Sequence, residues 1–156
     1  MKRCMIALDI QPFFQAPESL IDAINHVADH IPTIATVFVH DESRIPYKNF
    51  TTTDAPKKDE KTLINAQDSF NKNGYQLPVE VINWVKQEKP DEVIISGGQS
   101  DFTILAAGIS VFEAGFTPAI IPSLCYGNEW YQHTVTINIW EDSLGEVYES
   151  IVDIGL

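Results

Sequence analysis

The residues able to do chemistry in this 156-residue chain gather at two places. Asp9 closes the apolar run Cys4 to Ile10 (CMIALDI), and Gly97-Gly98-Gln99-Ser100-Asp101 joins the run Glu92 to Ser96 (EVIIS) to a helical segment containing Thr103. A carboxylate at a strand end can accept a proton. The amides of a glycine turn that leads into a helix can hold an anion or a developing oxyanion. The Thr103 hydroxyl is a polar pocket group, and it attacks a carbonyl only where a base takes its proton. Cys4 and Cys125 form no CxxC pair and no disulfide framework, which excludes a zinc ribbon. Each reads as a small buried hydrophobe. His26, His30 and His133 sit in helical segments without ligand spacing, and only His40, at a strand end, is expected near a pocket. No metal and no cofactor are expected.

The elements that must position these residues follow from periodicity. Leu20, Ile21, Ile24, Val27, Ala28 and Ile31 recur at helical spacing, with Pro17 and Glu18 suited to the first turn. Ile34 to His40 (IATVFVH) reads as a second buried strand, and Asp41 to Glu60 as a long polar surface loop. Thr62 to Ile64 suggests a short edge strand. Leu77, Val81, Trp84 and Val85 mark a helix between Pro78 and Pro90. Asp101 to Ala114 reads as a helix with Ile104, Leu105, Val111 and Phe112 inward and Gly115 as its C-terminal cap. Thr117 to Pro122 is a strand kept from the sheet centre by its prolines. Trp130, His133, Ile137, Trp140 and Leu144 share a helical face, and Val147 to Val152 is a last strand.

This alternation predicts one domain over residues 1–156, a three-layer α/β/α sandwich with a mainly parallel sheet of about six strands. Ligands of such sheets lie beyond the carboxyl ends of the strands, where strand order reverses. That rule sets Asp9 opposite the Gly97–Asp101 turn. The net charge of −12 argues against a general nucleic-acid binder and against an anionic membrane surface, but leaves room for a small ligand at a local positive site. The N-terminal apolar run is too short for a signal peptide, and no run of about 18 apolar residues exists, so the cytoplasm is the expected address.

Asp9-Ile10-Gln11-Pro12-Phe13-Phe14 matches a D-x-Q-x-x-F motif, and Gly97 to Ile104 is similar to G-[VI]-x-x-[DN]-x-C-V, with Gly115-Phe116 at the required distance. Asp68-Ser69-Phe70, Cys125 and Leu144-Gly145-Glu146-Val147 add weaker similarities in the same order. Together they resemble the isochorismatase-like cysteine hydrolase superfamily, which includes nicotinamidases and carbamoylsarcosine amidases. The resemblance implies an Asp-Lys-Cys triad, of which Asp9 is kept. Thr103 stands at the nucleophile position and Ile64 at the lysine position, since Lys57, Lys58 and Lys61 do not match the spacing. It also implies an oxyanion site at the Gly98–Gln99 peptide, with Phe14 and Ile64 on the pocket wall, and Gln11 reads as structural. The D-x-H metal pattern of nicotinamidases has no counterpart at Val39-His40-Asp41.

Two functions are expected on this basis. One is a hydrolase-like protein without covalent cysteine catalysis that keeps a pocket for a small carbonyl or carboxylate compound. The other is a hydrolase of a small amide, ester or vinyl ether that uses Asp9 with Thr103 or water. Substitution of a missing triad member by Lys61 or Cys125 stays open. A homo-oligomer, a dimer or larger, is the expected assembly. With Ile64 at the lysine position, Thr103→Cys alone is expected to give little activity, and Ile64→Lys is needed beside it to lower the thiol pKa.

Overall fold

The computed structural model describes residues 1–45, 47, 50, 54–98, 102–127 and 130–156, without the side chains of 130–132. In chain order the elements are β1 (Arg3–Leu8), α1 (Glu18–Ala28), β2 (Thr33–Phe38), β3 (Asp68–Lys72), α2 (Val79–Glu88), β4 (Glu92–Gly98), α3 (Thr103–Glu113), β5 (Thr117–Tyr126), α4 (Trp130–Ser143) and β6 (Glu146–Val147). Short 3₁₀ turns cover Pro12–Phe14 and Ile151–Ile154. The six strands form one sheet in the order β3-β2-β1-β4-β5-β6, and every pairing is parallel. Strand order therefore reverses between β1 and β4, which lie side by side with Leu8 opposite Gly97.

Burial on both faces explains why β1, β2 and β4 read as continuous apolar runs. Along β1 the side chains alternate between two clusters. Cys4, Ile6 and Leu8 join Val81, Val85, Ile104, Val111 and Trp140, under α2, α3 and α4. Met5 and Ala7 join Leu20, Ile24 and Val27 of α1 and Ile154 of the last turn. One helix layer on each face of the sheet makes the three-layer sandwich. Burial of these apolar faces stabilises it at roughly 25 cal/mol per Å² removed from water. At the amino-terminal edge of the sheet, Glu92 accepts from Arg3 Nε at 2.7 Å and from the Tyr148 hydroxyl at 2.9 Å, so this buried acid is satisfied far from the carboxyl ends of the strands. Gly115 closes α3 as expected, with Gly115 N–H on Phe112 O and Phe116 N–H on Val111 O. Among the described residues, no helix is long and apolar enough to cross a membrane.

The structure corrects several elements. Thr62 to Ile64 is not a strand; the edge strand is Asp68–Lys72, paired with β2. Its sequence DSFNK is polar because an edge strand beside solvent buries little: only Lys72 is fully enclosed. Gly97 and Gly98 still belong to β4. Phe112 points outward at 52% exposure, because Ile104, Ala107 and Val111 already fill the inner face of α3. The last strand has two residues, Glu146–Val147, beyond which the chain turns into the 3₁₀ helix.

Candidate functional site

β1 ends in a backbone turn that aims one side chain. Asp9 has φ 54°, in the left-handed region that aspartate tolerates better than most residues but still at a cost of about 1–3 kcal/mol. Beside it, Gly97 has φ 99°, and a Cβ there would lie 2.4 Å from the Leu8 carbonyl oxygen. Only glycine lets β4 approach β1 so closely at the point where Asp9 leaves the strand.

The Asp9 carboxylate is buried and fully engaged. Its Oδ1 accepts from the Thr36 hydroxyl at 2.6 Å, and its Oδ2 lies 2.8 Å from Lys72 Nζ. Lys72 Nζ also donates to Gly74 O at 2.7 Å and stands 5.5 Å from the centre of the Phe38 ring. The lysine side chain is 2% exposed and the aspartate 8%. Such a pair survives burial only when hydrogen bonds satisfy its remaining atoms, and here Thr36 and Gly74 supply them. The register explains the meeting: β3 is two strands from β1, and Lys72 sits at its carboxyl end opposite Phe38.

The ammonium facing Asp9 is therefore that of Lys72, which overturns the expectation that Ile64 occupies the lysine position. Ile64 is 6% exposed and packs in the α1-side cluster with Met5, Ile10 and Leu20, away from the cavity lining. Lys61 is exposed and does not reach the site.

Above the pair opens a cavity of about 80 Å³, lined by Asp9, Phe14, Phe38, Tyr47, Phe50, Lys72, Tyr75, Gly98, Thr103 and Tyr126. At roughly 10–15 Å³ of such space per water, it takes about half a dozen waters or one small ring compound. The walls are mostly aromatic: Phe38 and Tyr47 centroids lie 5.4 Å apart, Tyr47 and Phe50 5.6 Å, and Tyr47 and Tyr75 5.4 Å. Flat faces of this kind suit a flat ligand.

Of the residues singled out in the sequence, Asp9, Phe14, Gly98 and Thr103 come together on this lining, and Thr103 is the first residue of α3. Gln99 lies outside the described residues, as do Ser100 and Asp101, and so does the side chain of Trp130. Gln11 clamps backbone: its amide donates to Phe38 O at 3.0 Å and accepts from Phe38 N–H at 2.7 Å, and it also donates to Glu60. His40 is buried behind the lining, its ring 5.0 Å from Phe50 and 6.0 Å from Tyr47. Cys125 packs with the α2–α4 cluster, and burial pushes its thiol up to about 12. Cys4 lies within β1, also pushed up to about 12 by burial. Neither cysteine is on the cavity lining. Among the described residues no group of three or more His, Cys, Asp or Glu could hold a metal ion.

Sequence reasoning missed Lys72, Thr36 and the aromatic walls Tyr47, Phe50, Tyr75 and Tyr126. The available signal for Lys72 was its place two residues after Phe70 in a segment that could be an edge strand.

The strand order and the helix layers make an α/β sandwich with an all-parallel sheet, and that fold is shared with solved nicotinamidases and an isochorismatase family protein. Solved structures carry the same architecture at low identity. PnC1 from L. infantum, in complex with nicotinate, matches with TM-score 0.77 and 16% identity over 96% of this chain and 93% of that one. The pyrazinamidase/nicotinamidase from Streptococcus mutans UA159 matches with TM-score 0.73 and 15% identity, covering 94% of this chain and 100% of that chain. An isochorismatase family protein from Desulfovibrio vulgaris matches with TM-score 0.72 and 13% identity, covering 98% and 97%. No protein-family model matches the sequence, and no curated protein matches it.

Proposed function

We propose that this chain is a ligand-binding relative of the isochorismatase-like hydrolases: it holds a small flat carbonyl or carboxylate compound above the Asp9–Lys72 pair and performs no covalent cysteine catalysis. One observation carries the reading. The buried pair, with Lys72 Nζ 2.8 Å from Asp9 Oδ2, underlies an aromatic cavity whose lining offers the Thr103 hydroxyl and no thiol. A thiolate is the sulfur nucleophile, and thiols that ionise only near 12 remain protonated at neutral pH. Threonine needs a base, and both oxygens of Asp9 already accept hydrogen bonds. The nicotinate bound to PnC1 is a flat carboxylate, in keeping with the aromatic walls here. Exposed Phe112, Val135 and Ile139 on α3 and α4 support association between copies of the chain.

A second reading is favoured by Thr103 and Asp9 sharing one lining: Asp9 acts as base toward water or Thr103 and the chain hydrolyses a small amide or ester. Titration calorimetry with nicotinamide and nicotinate, beside a turnover panel of small amides and esters, separates the two. Saturable binding without product is the expected result. Turnover that disappears in Asp9→Asn selects hydrolysis instead.

A further inference from the structure

Among the described residues the Tyr126 hydroxyl is a buried polar atom with no hydrogen-bond partner, and its residue lines the cavity. Leaving such a group unpaired is costly, so its presence calls for an acceptor that the described residues do not supply. The charged neighbours are already engaged. Asp9 accepts from Thr36 and Lys72, and Lys72 donates to Asp9 and Gly74. Among the other tyrosines of the lining, the Tyr47 hydroxyl reaches Asn73 O at 3.4 Å.

The backbone puts Tyr126 there by an irregularity. β4 and β5 pair in step up to Ile95 opposite Ile120, and pairing resumes only at Gly97 opposite Cys125 and Gly98 opposite Tyr126. The intervening residues of β5 bulge out, which swings Tyr126 over the end of β4 beside Asp9. Its ring then rests on Gly98, where a Cβ would come within 2.3 Å of the ring carbon Cε1. The hydroxyl is therefore held in place before any ligand arrives. Burial, reinforced by the Asp9 charge, pushes its pKa up to about 12, so it remains a donor at neutral pH.

We propose that the Tyr126 hydroxyl donates the hydrogen bond that orients the ligand's carbonyl oxygen in this cavity, and so sets a preference for carbonyl compounds over flat apolar ones. The inference rests on the ligand-binding reading above and adds the residue that recognises the oxygen. A phenol fixed by packing loses little freedom on binding, and an oxygen on the ligand is the partner a buried unpaired O–H selects.

The test compares nicotinamide with 3-methylpyridine, which keeps the ring and replaces the carboxamide by a methyl group. Dissociation constants are measured by titration calorimetry for the wild-type chain and for Tyr126→Phe, with thermal melting of both proteins alongside. The variant keeps the ring that packs on Gly98 and loses only the oxygen. The expected result is a roughly tenfold weaker nicotinamide complex in Tyr126→Phe, about 1.4 kcal/mol, with 3-methylpyridine changed less than about twofold. Equal weakening of both probes, or nicotinamide affinity within about twofold of wild type, overturns the role of the hydroxyl while the ligand-binding reading stands. A wild-type chain that binds neither probe overturns the ligand-binding reading and this inference with it.

Discussion

Replacing Thr103 by cysteine restores a thiol to the first residue of α3, on the lining it shares with Lys72. An ordinary cysteine ionises near 8.5 and is about 3% thiolate at pH 7. The Asp9–Lys72 pair shares its lining with position 103: the ammonium favours a thiolate there, the carboxylate opposes it, and so does burial, because Thr103 is itself buried. The helix N-terminus acts with the ammonium. A unit charge about 4 Å away is worth about 4 kcal/mol at an effective dielectric of about 20, and one about 6 Å away about 3, so removing the ammonium alone should raise the thiol pKa by about one unit or more. The assay is the pH dependence of iodoacetamide alkylation, located by peptide mass spectrometry. Cys4 and Cys125 stay silent because burial pushes both thiols up to about 12. Adding Lys72→Met to Thr103→Cys should therefore move the alkylation midpoint of the new thiol up by about one pH unit or more. A midpoint that is the same with and without Lys72 refutes the assignment of Lys72 as the cation of the site.

Three further outcomes follow from the same contacts. Ile64→Lys, the change that would complete the site if Ile64 held the lysine position, should instead destabilise the fold by about 3 kcal/mol or more in urea unfolding, because it buries a charge among Met5, Ile10 and Leu20. Lys72→Met should cost about 3–5 kcal/mol by leaving Asp9 buried and unpaired, and Asp9→Asn added to it should recover part of that loss. Stability should be full below about pH 9 and decline toward pH 12. The Cys4, Cys125, Tyr47 and Tyr126 pKa values are raised by burial to about 12 from the ordinary 9.0 of a thiol and 10.0 of a phenol, so the unfolded chain releases these protons first. Urea midpoints at pH 8, 9.5 and 11 check the sign, and a midpoint that rises with pH refutes it.

The parallel sheet was legible because β1, β2 and β4 are buried on both faces and must be written almost entirely in apolar residues. Asp9 was legible for the same reason: it is the residue at which that run stops. Lys72 escaped because β3 is an edge strand whose outer positions face solvent, so its DSFNK sequence carries no apolar run to mark it. A lysine at the end of such a segment looks like surface until the partner strand is known. Tyr126 escaped for a different reason. Its place depends on the register shift between β4 and β5, a backbone irregularity that no residue pattern along β5 encodes. The aromatic walls come from chain segments far apart in sequence, with Phe14 after β1, Tyr47 and Phe50 in the long loop, and Tyr75 after β3, and only the folded sheet brings them together.

On the proposed function, a small carbonyl compound binds over Asp9 and Lys72 without covalent chemistry. Intact-mass spectrometry of the chain saturated with nicotinamide, with ammonia release followed in the same sample, tests it most directly. An unmodified protein mass, no ammonia above the buffer blank and a saturable binding isotherm are expected. An acyl adduct mapped to Thr103 or Cys125, or ammonia release that Asp9→Asn eliminates, would contradict it.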